Sequence, residues 1–88
     1  MKTIKMKYGQ KLGFREAYSL ARGEAVKHVA DPMSSSWLNR RTGRHSPDID
    51  YYQMEGKESW EIYGESRGGK LRIEIGDKYA FIFREGLI

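Results

Sequence analysis

The chain has 88 residues, 39% of them hydrophobic and 32% charged, with a net charge of +4 and no cysteine. That length suits one domain with one modest core, and the missing thiols exclude disulfides, thiolate zinc sites and cysteine nucleophiles. No apolar run approaches the ~18 residues of a membrane span, and the opening Met-Lys-Thr-Ile-Lys-Met-Lys alternates charge with apolar residues where a signal peptide would be continuously apolar, so the expected setting is cytoplasmic, without a membrane partner.

Residues 2–8 alternate strictly, with Ile4, Met6 and Tyr8 on one face and Thr3, Lys5 and Lys7 on the other. Period two predicts a half-buried strand whose lysines discourage edge pairing. Over residues 14–30 the period changes: Phe14, Ala17, Tyr18, Ala21, Ala25 and Val29 recur at three- and four-residue spacing. This is the stripe of an amphipathic helix. Gly13 can cap it, with Glu16 at the third helical position, and Asp31-Pro32 closes it. Gly23 weakens its middle by about 1 kcal/mol relative to alanine.

Residues 31–52 show no period and are expected to form a long irregular segment, with a short helical turn around Trp37 and Leu38. Thr42-Gly43 and Ser46-Pro47 read as turns. Loops of this length inside a compact domain are uncommon and frequently functional.

The remainder reads as a β-meander. Trp60 and Ile62 alternate with Ser59, Glu61 and Tyr63, and Ser66-Arg67-Gly68-Gly69 turns the chain. Leu71, Ile73 and Ile75 follow, then a turn, then Tyr79, Phe81 and Phe83. A two-residue loop at Gly76-Asp77 would set Ile73 opposite Ala80. A three-residue loop that includes Lys78 sets Ile73 opposite Phe81 and Leu71 opposite Phe83, which keeps the apolar set on one face. The expected fold is therefore α+β: a two-layer sandwich spanning residues 1–88 as one domain. Its antiparallel four-stranded sheet, in the order β-α-β-β-β, carries one main helix on one face.

Charge is unevenly spread. Residues 1–48 hold ten Lys or Arg against four acids, a surplus of +6, whereas residues 49–88 stand at −2. Such asymmetry points to a basic surface that could meet a polyanion, although solubility alone would account for +4. A single Asn (Asn39) and two Gln (Gln10, Gln53) beside so many charges give a thermophile-like balance.

The candidate ligand-binding residues are Trp37, Arg40, Arg41, Arg44 and His45, with Tyr51 and Tyr52. Arginine presents a rigid fork that matches phosphate, and aromatic faces stack on bases. The competing reading makes this a solvated loop whose arginines pair with acids. On the outer sheet face, Lys5, Lys7, Arg72 and Arg84 are diluted by Glu61 and Glu74. His45, Asp48 and Asp50 are the only local metal-ligand set, match no established spacing and serve equally as turn residues. Ser34, Ser35 and Ser36 lack the setting of a nucleophile elbow, His28 sits in the predicted helix, and the glycines between Gly64 and Lys70 lack phosphate-loop spacing. No cofactor is implied.

The sequence thus points to a small binding module contacting nucleic acid or another anionic ligand through 31–52. The alternatives are a protein-interaction or homodimerising module, and a small metal- or phosphate-handling enzyme.

Overall fold

Apolar periodicity places a strand and a helix at the N-terminus and the final strand pair, and the computed structural model, which describes residues 1–8, 11–48 and 56–86, gives the bounds of every element. In chain order they are β1 (Lys2–Met6), α1 (Phe14–Ala25), β2 (Pro32–Asn39), β3 (Arg44–Ser46), α2 (Ser59–Ser66), β4 (Gly69–Ile75) and β5 (Tyr79–Glu85). The strands form one five-stranded sheet in the order β1-β4-β5-β2-β3. β1 runs parallel to β4, and every other pair is antiparallel.

The expected four-stranded antiparallel sheet with one helix on one face is therefore corrected to a mixed five-stranded sheet with two helices. α1 covers one face. Its Ala17, Ala21 and Ala25 have no exposed surface and let the helix axis lie close to Leu71, Ile73, Phe81 and Phe83. α2 covers the other face, where Trp60 packs with Leu38, Ala80 and Ile82. Both faces of β5 are consequently buried, with Tyr79, Phe81 and Phe83 toward α1 and Ala80 and Ile82 toward α2.

Residues 59–63, expected as a strand, begin α2. Five residues of alternation fit a short helix as well, and here the helical spacing of Trp60 and Gly64 prevails, both being buried. The Glu61 carboxylate accepts from the Glu58 backbone N–H at 3.3 Å, which caps the first turn. Arg72 then ties the helix to the sheet. Its guanidinium pairs with Glu61 at 2.8 Å and Glu74 at 3.1 Å and lies 5.0 Å from the Trp60 ring centroid.

The expected irregular segment 31–52 is corrected in its described part, since residues 32–39 and 44–46 are strands; residues 49–52 lie outside the described residues. The expected helical turn at Trp37 and Leu38 is part of β2, which pairs with β5 on one side and β3 on the other. Three consecutive serines hide its period, and a register shift between Ser34 and Ser36 breaks it further. α1 ends at Ala25, short of the expected residue 30, although it passes through Gly23 without interruption. Gly13 does cap it, with its N–H donating to the Glu16 carboxylate at 3.1 Å. The three-residue loop is also as expected: Ile73 faces Phe81 and Leu71 faces Phe83.

Candidate functional site

Asn39 and Thr42 build the hairpin that carries most of the predicted site. The Arg41 N–H donates to Asn39 Oδ1 at 3.0 Å, the Arg44 N–H donates to Thr42 Oγ1 at 3.2 Å, and the Gly43 N–H returns to the Asn39 carbonyl at 2.9 Å. Short polar side chains bonding the backbone two residues on are what close such turns. Gly43 completes the turn at a φ of +76°, a conformation other residues rarely adopt. β2 and β3 then pair Trp37 with Ser46, Leu38 with His45 and Asn39 with Arg44.

This hairpin walls a concavity of about 400 Å³ lined by Trp37, the run Thr42–Ser46 and Asp48. Trp37 is half-buried, its ring 4.6 Å centroid to centroid from Phe14 of α1, so the indole is held from behind. Arg44 is exposed. His45 Nδ1 lies 2.9 Å from the Pro47 carbonyl oxygen. A carbonyl only accepts, so Nδ1 carries the proton and Nε2 is the acceptor of the neutral ring.

The predicted residues divide into three groups. Trp37, Arg44 and His45 line the concavity. Arg40 is exposed in the turn, its backbone N–H bonded to the Lys78 carbonyl at 2.8 Å. Arg41 reaches elsewhere, donating to the Leu12 carbonyl at 3.0 Å and the Tyr79 hydroxyl at 3.4 Å, which fastens the hairpin to the segment before α1. Tyr51 and Tyr52 lie outside the described residues, as does Asp50. Sequence reasoning did not include Thr42, Gly43 or Ser46 in the site, although Thr42-Gly43 was legible as a turn.

Among the described residues, no carboxylate pairs with Arg40, Arg41 or Arg44. Some cations elsewhere are matched, as with Arg72 and its two glutamates, Lys57 with Glu65 at 2.7 Å, and Lys70 with Glu85 at 3.1 Å, whereas Arg67 and Arg84, like the hairpin arginines, have no carboxylate partner among the described residues. Among the described residues the hairpin tip therefore carries charge without a carboxylate partner beside an aromatic ring, and Asp48 is the one acid that lines the concavity. Among the described residues no three His, Asp or Glu side chains gather as a metal-ligand set, and no helix is long and apolar enough to cross a membrane.

Residues 1–83 match the family described as a domain of unknown function, DUF5619. The chain belongs to that family. This DUF5619 chain is 29% identical over 84 residues to an Archaeoglobus fulgidus protein described as uncharacterized, covering 96% of this chain and 87% of that one. It is also similar to the crystal structure of the A. fulgidus protein AF1514, with a TM-score of 0.83 at 28% identity, covering 99% of this chain and 96% of that chain. These likenesses place the α+β fold and assign no ligand.

Proposed function

We propose that this DUF5619 chain is a small binding module that contacts an anionic ligand, nucleic acid foremost, through the β2–β3 hairpin. The observation that carries the reading is the set of hairpin arginines without carboxylate partners among the described residues, next to a Trp37 ring supported by Phe14. Guanidinium groups bind phosphate oxygens bidentately and an indole face stacks on a base. The pairing with acids that a purely solvated loop would favour is missing among the described residues.

A second reading, a small phosphate-handling or metal-assisted enzyme, draws on His45 and Asp48 lining the same concavity. Two such groups can orient a ligand but make a sparse set for catalysis or metal binding, so binding is the function advanced.

The test is a titration with short single- and double-stranded RNA and DNA, comparing the wild type with the Arg40→Glu/Arg44→Glu double variant. Both side chains are exposed, so the variant keeps its fold by circular dichroism. Affinity should fall at least tenfold, each lost phosphate contact being replaced by a repulsion. Unchanged affinity in the folded variant refutes the assignment. Tyr51 and Tyr52 belong to this proposal as additional stacking groups, and homodimerisation through the sheet edge is the competing outcome, read as a mass that rises with concentration and ignores salt.

A further inference from the structure

On the opposite side of β2 from Trp37, a second concavity of about 330 Å³ is lined by Ser34, Ser35, Tyr63, Arg67 and Arg84. These residues come from the β2 register shift, the last turn of α2 with its cap, and the end of β5. We propose that it is a phosphate-binding pocket, independent of the hairpin, whose ligand is a phosphate dianion, either free orthophosphate or the phosphoryl group of a small phosphomonoester.

Two guanidinium groups lining one small cavity make it attractive to an anion, which would offset their mutual repulsion. No acid fills that role among the described residues. Glu61 and Glu74 are held by Arg72, Glu65 by Lys57 and Glu85 by Lys70, which leaves Arg67 and Arg84 without a carboxylate. Arg67 is exposed, and its guanidinium carbon lies over the Tyr63 ring, 5.0 Å from the centroid, a cation–π contact that restrains the side chain at the cavity. Arg84 is half-buried, and among the described residues only its Nη1 is engaged, donating to the Glu85 carbonyl at 3.2 Å.

The hydroxyls complete the set. Ser34 and Ser35 donate to the carbonyls of Ser36 and Ile82 over long distances, 3.4 and 3.2 Å, bonds that a rotated hydroxyl can exchange for a phosphate oxygen. Tyr63 adds a third hydroxyl. Charge-assisted bonds from two arginines are the strong contacts here, and the hydroxyls match the remaining oxygens of a tetrahedral anion. The cavity exceeds a bare phosphate, which leaves room for a small attached group.

The experiment is isothermal titration of the full chain with orthophosphate, with ribose 5-phosphate and with ribose, repeated on Arg67→Gln, Arg84→Gln and the Arg40→Glu/Arg44→Glu variant. Saturable phosphate binding, weakened roughly tenfold or more by either glutamine variant and unchanged in the hairpin variant, is expected. Tighter ribose 5-phosphate identifies the ester as the ligand, and equal affinities identify free phosphate. Should a glutamine variant fail to fold, the Nε–Hε resonances of Arg67 and Arg84 in the wild type replace it, and both must shift on adding phosphate. No saturable binding at millimolar phosphate, binding that both glutamine variants retain, or unmoved arginine resonances overturn the proposal. Loss of nucleic-acid binding in the hairpin variant bears only on the hairpin, so the two assignments fail separately.

Discussion

Replacing Gly64 by alanine tests how closely α2 lies on the sheet. A Cβ built there would strike Ser36 Oγ, and would stand 2.8 Å from Ile82 Cδ1 and 3.1 Å from Ile82 Cβ. Both neighbours are rooted in central strands and are at most 1% exposed, so neither can swing into solvent. Overpacking of this kind typically costs about 1–3 kcal/mol, and contacts this short belong at the upper end. Alanine returns about 1 kcal/mol of helix propensity over glycine. The net loss is then about 2 kcal/mol, and at about 4–8 °C per kcal/mol for a domain of this size the melting temperature should fall by about 8–16 °C. Ser36→Ala refines the test. Its hydroxyl has no hydrogen-bond partner among the described residues, so removing it should be neutral or stabilising by up to about 1 kcal/mol. It also removes the closest obstacle, so Ser36→Ala/Gly64→Ala should lose less than the sum of the single changes. Thermal melts followed by circular dichroism measure all three proteins. A Gly64→Ala variant as stable as the wild type, or an additive pair, would refute this packing.

Two further outcomes follow from single contacts. Arg41→Gln removes the bonds to the Leu12 carbonyl and the Tyr79 hydroxyl, so it should cost about 1 kcal/mol in urea unfolding while lowering ligand affinity less than Arg44→Gln does; the reverse order would return Arg41 to the ligand. Glu24, hydrogen-bonded first to His28 and then to Lys27, has its carboxyl held below the usual value. A depressed carboxylate contributes stability above its unfolded value and loses it as pH falls through the folded one. An NMR titration should therefore find Glu24 among the lower glutamates, and the Lys27→Met/His28→Gln double variant should raise it; an ordinary Glu24 value in the wild type contradicts the pairing.

Much of the α1 face was legible because its signals are local. Period two in β1, helical spacing in α1 and the register across Gly76–Lys78 all follow from residues close in sequence. The second helix was less visible, yet one signal pointed to it. Tyr79-Ala80-Phe81-Ile82-Phe83 is apolar at every position, as a central strand buried on both faces should be. Ala80 and Ile82 required a cover, and Trp60 was already at hand to supply it. β2 was hidden because three consecutive serines replace apolar residues in it, Ser36 for its size. Ser36 must fit beneath Gly64, and a bulge at Ser35 erases the alternation. The parallel pairing of β1 with β4 is set by tertiary packing between residues 69 apart, as Lys2 is from Leu71, beyond any local pattern. Within the candidate site, the basic and aromatic residue types marked the hairpin. The diversion of Arg41 toward Leu12 and the placement of Arg67 and Arg84 around one concavity depend on tertiary arrangement, which no spacing displays.

The hairpin assignment is tested most directly by the salt dependence of wild-type nucleic-acid binding, followed through tryptophan fluorescence. Trp60, on the sheet-facing side of α2, is 1% exposed, so a change in emission reports Trp37. Contacts from Arg40 and Arg44 predict that log affinity falls linearly with log salt with a slope of roughly −1.4 to −1.8, each phosphate contact contributing about 0.7–0.9. Absence of saturable binding at low salt, or an affinity that salt leaves unchanged, would contradict the assignment.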